Sequence, residues 1–206
     1  MINEISLMVY IGAIIVYITL LNLTLKGKKV SEITLYTKIY EDWVENRKDE
    51  NQLVTIQVIR NFSMNNSTLL SALLILLGIL ISLNTAAIFN QNTLLFFILP
   101  LGLAQVGLNI ILISFCIVNF ILSIRALTRL TLLISGNPEK YTIQEYNGLE
   151  LTKKVFISAK NHWMYGIRGI FFLIPSLLWF VNSLLFLVST VIILISLIFI
   201  KEIKLF

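Results

Sequence analysis

The chain has 206 residues, 57% hydrophobic and only 13% charged, where soluble domains carry roughly 25% charged residues. A single cysteine and a single histidine exclude an internal disulfide and leave no Cys/His set for a metal. The net charge of +5 comes from basic residues that flank apolar runs rather than interleaving with aromatics. That distribution argues against nucleic acid and names anionic lipid headgroups as the counterpart.

Residues 5–25 carry no charge and include a glycine, Tyr10 and Tyr17. Residues 1–4 contain no Lys or Arg and no small-residue cleavage site follows, so the segment is expected to be a retained membrane helix rather than a signal peptide. Next, in 26–66, come Lys26, Lys28, Lys29, Lys38, Arg47, Lys48 and Arg60. Here Ile33, Tyr36, Tyr40 and Trp43 recur at helical spacing, with Glu32, Glu41, Asp42 and Glu45 around the other sides. This predicts an amphipathic helix that lies on the membrane or packs on a second copy, its acidic face weakening the first option. Residues 46–52 read as a solvated turn, and from Leu53 a helical pattern runs into the second apolar span, 69–89. Ser67, Ser71, Gly78 and Ser82 form a small-residue stripe suited to helix packing, within one bundle or between copies of a homo-oligomer.

The third span is expected at 94–124 and the fourth at 169–200, both longer than the roughly 20 residues a crossing needs. At about 1.5 Å per residue they reach some 45 to 50 Å, which predicts tilt or helix beyond the bilayer. Within the third, Gln105, Asn109, Leu112, Cys116, Asn119 and Ser123 fall on one seam at spacings of four, three, four, three and four. An unpaired amide in hydrocarbon costs a few kcal/mol, so the seam must face protein or water. Interhelical hydrogen bonding and the lining of a water-filled path both satisfy that requirement. The connection 125–168 holds Arg125, Arg129, Lys140, Lys153, Lys154, Lys160 and Arg168, a helix stop at 135–138, and a short headgroup-level helix at 151–163 carrying His162 and Trp163. Pro175 is expected to kink the fourth span.

Fourteen of the sixteen basic residues thus lie in the two long connections, with only Lys201 and Lys204 elsewhere. The positive-inside rule places 26–66 and 125–168 in the cytoplasm and both termini outside, in a multi-pass protein of the plasma membrane. Asn61 and Asn66 begin glycosylation-type triplets, which on the cytoplasmic side are chance matches.

The run Gln57-Val58-Ile59-Arg60-Asn61, with a Ser/Thr-rich stretch after it, resembles an uncharacterised membrane family called domain of unknown function 599. So do Arg125 with Gly136 and Pro138 downstream, and Gly166-Ile167-Arg168 followed by Phe171, Phe172 and Trp179. The resemblance covers nearly the whole chain and departs from the family at Thr128, where an asparagine is expected. It implies a four-helix membrane protein and lends no activity.

Arg60, Asn61, Arg125, Arg129 and Arg168 stand at the cytoplasmic ends of spans. Such arginines anchor helices to phosphates, or form a ring that selects anions or grips a phosphate-bearing ligand. His162 is where acid-base chemistry would begin, but Glu139, Glu145 and Glu150 form no motif with it. The expected fold is all-α, a four-span transmembrane bundle with cytoplasmic helical extensions, non-enzymatic, needing no cofactor or metal. Its expected function is an oligomeric channel or pore for ions or small solutes. The alternative is a non-conducting scaffold that organises lipids or a partner.

Overall fold

The computed structural model describes residues 2–26, 32–46, 52–87, 93–94, 99–136, 142–143 and 146–199. The polar run 47–51, the connection 88–92, Asn137, Pro138, Lys201 and Lys204 lie outside them, as do the side chains of Ile33 and Tyr36. The fold is all-α: α1 (Ile2–Lys26), α2 (Glu32–Asn46), α3 (Gln52–Ala87), α4 (Leu101–Ser135), α5 (Gly148–Leu178) and α6 (Ser183–Phe199). Two short antiparallel ladders sit in connections, β1 (Thr93–Leu94) with β2 (Leu99–Pro100) and β3 (Thr142–Ile143) with β4 (Tyr146–Asn147).

Among the described residues three helices are long and apolar enough to cross a bilayer, over Ile2–Leu21, Leu53–Ser82 and Leu101–Ser135, which corrects the expectation of four. The expected fourth span, 169–200, is not one helix. α5 passes through Pro175 and stops at Leu178, where Phe180 and Val181 N–H groups turn back onto the carbonyls of Leu177 and Leu178 at 3.2 and 3.0 Å. Asn182 then begins α6, a 17-residue helix. Its Oδ1 accepts from Leu184 N–H at 2.8 Å and its carbonyl accepts from Phe186 N–H at 3.0 Å. One polar residue inside an apolar run barely changes hydropathy, but as an N-cap it starts a new helix. Asn182→Ala is expected to destabilise α6 by about 1 kcal/mol, read as earlier loss of helicity by circular dichroism during thermal unfolding.

The third span starts later than expected. Residues 93–94 and 99–100 are extended, and Pro100 favours extended backbone at the residue before it, so α4 begins only at Leu101. At its other end α4 runs past Arg125 and Arg129 to Ser135, where Gly136 N–H returns to Leu132 O at 3.2 Å. The helix expected at 151–163 is likewise part of a longer one, α5, which starts where Asn147 Oδ1 accepts from Leu149 N–H at 2.9 Å.

The chain divides into two units, Met1–Glu32 with Ile75–Phe115 and Arg168–Phe206, and Ile33–Leu74 with Cys116–Ile167. In the first, α1 buries Ser6, Tyr10, Ala13, Tyr17 and Leu21, a seam at spacings of three and four. Tyr10 donates to the Phe172 carbonyl at 2.8 Å, and its ring meets Phe172 edge-on and Phe186 at 5.0 Å. Asn3 and Ser6 meet Ser183, Asn3 meets Trp179, and Tyr17 meets Phe172 and lies beneath Arg168. Residue numbers thus rise along α1 as they fall along 168–178 and rise along α6, so α1 runs against the end of α5 and with α6. α6 packs along α1, and Trp179 stacks on Phe186 at 4.9 Å within this aromatic core.

In the second unit Ile59, Leu127, Leu130, Ile134 and Ala159 form the core. α2 is tied to α5 by Tyr40 and Trp43 against Phe156, at 5.5 and 5.3 Å, and by Lys153 to Glu45 at 2.7 Å. The described part of the amphipathic stripe, Tyr40 and Trp43, is therefore packed within the chain. Lys160 is buried, its ammonium 5.3 Å over the Tyr40 ring. Phe62 meets Trp163 edge-on at 5.4 Å.

Candidate functional site

Every residue of the predicted polar seam is buried: Gln105, Asn109, Cys116, Asn119 and Ser123. In the first unit the reason lies at the end of α5. Phe180 N–H bonds Leu177 O, so Ser176 O loses its helical donor, and Trp179 O lies beyond the last turn. Helix ends leave such carbonyls orphaned, and a buried orphan costs about 1 to 3 kcal/mol. Asn109 Nδ2 donates to Ser176 O at 3.1 Å and to Gln105 O at 2.9 Å. Ser176 Oγ returns a hydrogen bond to Asn109 Oδ1 at 2.8 Å. Gln105 Nε2 donates to Trp179 O at 2.8 Å. These amides cap the broken helix from the side.

In the second unit Ser123 Oγ donates to Ala159 O at 2.9 Å and accepts from Asn66 Nδ2 at 3.0 Å. Asn119 Oδ1 lies 3.2 Å from His162 Nδ1, within hydrogen-bond reach. Asn66, whose place in the sequence suggests a donor beside Arg60, is instead fully buried, with Oδ1 unsatisfied among the described residues. The sequence does carry a signal for this. Ile59, Asn66, Leu73 and Leu80, all buried, stand seven apart, which puts Asn66 on the core stripe of α3.

The five residues of the predicted cytoplasmic cluster are not equivalent. Arg60, Asn61, Arg125 and Arg129 are exposed and belong to the second unit. Arg168 is buried in the first, its guanidinium 5.9 Å over the Tyr17 ring, a cation–π geometry. Arg60 borders a groove of about 390 Å³ between α3 and α4 that also includes Thr128. A second groove of about 370 Å³ follows one face of α5 past Lys154, Ser158, His162 and Tyr165. At the start of that helix the Lys154 ammonium, by hydrogen bond and charge, holds the Glu150 carboxyl below its usual range. Among the described residues no three His, Cys, Asp or Glu side chains gather into a metal-sized group.

Ser67, Ser71, Gly78 and Ser82 are exposed on α3. The three serines hydrogen-bond to their own helix, at Ser63 O, Ser67 O and Ile79 O, and a Cβ at Gly78 would meet nothing within 4 Å. Gly166 is the glycine that does bring helices close, since a Cβ there would lie 2.8 Å from Phe120 Cζ.

Compared with known proteins, residues 5–203 match the family described as "Protein of unknown function, DUF599". No curated protein and no solved structure matches the chain.

Proposed function

Because the chain belongs to the DUF599 family, to which no activity is attached, we propose its function from geometry: a non-conducting membrane scaffold that presents basic residues to anionic headgroups. One observation carries this reading. The amide seam is consumed inside the chain, Gln105 and Asn109 on carbonyls at the end of α5, Asn119 on His162 and Ser123 on Ala159 O. A seam so used serves contacts within the protein rather than the replacement of a passing ion's hydration shell. Polar groups between membrane helices serve widely as glue.

The connections 26–66 and 125–168 are assigned to the cytoplasm by their basic residues. α6 runs with α1, which favours a C-terminal end on the side where α1 ends over the arrangement with both termini outside. The small-residue stripe on α3 belongs to the same reading as a face for self-association. α3 suits that role because only 17% of its apolar window is buried, against 39% for α4.

Cys116 supplies a clean test, since it is the sole cysteine and lies in the middle of the seam. In sealed vesicles it should resist a charged thiol reagent from either side until the protein is unfolded, and ion flux should equal that of protein-free vesicles. Labelling of the folded protein together with flux would establish a pore instead.

A further inference from the structure

We propose that the groove between α3 and α4 seats one phospholipid whose headgroup is anionic and carries hydroxyl groups, phosphatidylglycerol being the simplest example. The proposal depends on the membrane assignment but not on the absence of conduction. Arg60 is the last ionisable residue before α3 becomes charge-free, and Arg125 and Arg129 mark the corresponding boundary on α4. Headgroup phosphates stand at such boundaries.

The chemistry of the groove is divided. The Arg60 guanidinium and the Ser63 hydroxyl make no hydrogen bond or ion pair with another described residue, so both remain free to donate. Ser67, Thr128 and Thr131 each direct the hydroxyl proton to a carbonyl of their own helix, at Ser63, Ile124 and Leu127, all at 3.0 Å. Towards a ligand these three offer only lone pairs. A phosphate for Arg60 and Ser63, with two hydroxyl donors for two of the three oxygens, fits a phosphoglycerol headgroup. A choline headgroup has no N–H or O–H to give them.

The remaining lining fixes the ligand as a lipid rather than a soluble anion. Ile59 and Leu127 form a buried apolar floor, while Met64 and Leu132 at the rim are 56% and 70% exposed. An acyl chain can leave across that rim without uncovering polar backbone.

Native mass spectrometry of the purified full chain, with phosphatidylglycerol, phosphatidic acid and phosphatidylcholine each added at equal concentration, tests the assignment. Wild type should retain phosphatidylglycerol about tenfold better than phosphatidylcholine, whose phosphate can also meet Arg60 but whose trimethylammonium cancels the headgroup charge and gives no donor to the hydroxyl oxygens. Arg60→Gln should weaken retention of all three lipids and lower that preference, and Arg60→Lys should keep part of both. Thr131→Val, which takes one acceptor from the groove, should reduce the preference for phosphatidylglycerol over phosphatidic acid while both still bind better than phosphatidylcholine. Thermal unfolding confirms that each variant is folded, as expected for exposed Arg60. Equal retention of phosphatidylglycerol and phosphatidylcholine by wild type would overturn the proposal. So would competition by free glycerol phosphate as effective as that by the lipid. Vesicle flux is read separately, so failure here leaves the non-conducting reading to its own test.

Discussion

Gly166→Ala is expected to lower the stability of the purified protein, and Gly166→Leu to lower it further. The added Cβ would stand 2.8, 2.9 and 3.0 Å from Cζ, Cε1 and Cε2 of Phe120, closer than carbon atoms approach without displacement. Phe120 cannot swing away, because it is fully buried. Two effects oppose each other. Alanine is a better helix former than glycine by about 1 kcal/mol, whereas overpacking a tight core costs about 1 to 3 kcal/mol. Since three ring atoms of an immobile side chain are involved, overpacking wins. The net loss for alanine should be about 1 kcal/mol, with a larger loss for leucine. Chemical denaturation in micelles or bicelles measures the order, and Phe120→Leu in the Gly166→Ala background should recover part of the deficit. An alanine variant as stable as wild type would mean that α4 and α5 do not approach this closely. The result also gives a packing reason for the glycine of the Gly166-Ile167-Arg168 run.

The second large effect is expected at Asn109. Replacement by leucine keeps the branched shape, with bulkier methyl groups, but removes the donor to Ser176 O and the acceptor of Ser176 Oγ. Hydrogen bonds between membrane helices are worth about 0.6 kcal/mol on average, because partners lost at one site are usually replaced at another. Ser176 O lacks that option, since the turn at 179–181 has already removed its helical donor. The cost should therefore approach that of a buried unsatisfied group, about 1 to 3 kcal/mol. A double-mutant cycle with Ser176→Ala should show the two side chains coupled, and vesicle permeability should stay at background in every variant. Unchanged stability would show that the pair is incidental. A change in permeability would return the seam to the pore reading.

The seam that holds Asn109 is legible in the sequence, because Gln105, Asn109, Cys116, Asn119 and Ser123 repeat at helical spacing and amides in an apolar helix must face something polar. The polar partners themselves are not legible. Trp179 O lies 74 residues beyond Gln105 and Ser176 O lies 67 beyond Asn109, and backbone carbonyls carry no residue identity to recognise. The cluster of arginines shows the same division. Their place beside apolar runs is a property of composition, yet burial of Arg168 over Tyr17 and exposure of Arg60, Arg125 and Arg129 depend on which helix lies alongside.

The all-α class, the apolar helices, the gathering of basic residues into two connections, the stop of α4 at Ser135 and the family can all be read from residue order alone. Each follows from local composition, periodicity and spacing, which act within a few turns of chain. The division of residues 169–200 into two helices has a different origin, in contacts between distant segments. Ending a helix in an apolar layer is tolerable only where outside donors satisfy its last carbonyls, and those donors, Gln105 and Asn109, come from a helix distant in sequence. Contacts between distant segments also set the direction of α6 in the first unit and, in the second, leave Arg60 beside an open groove.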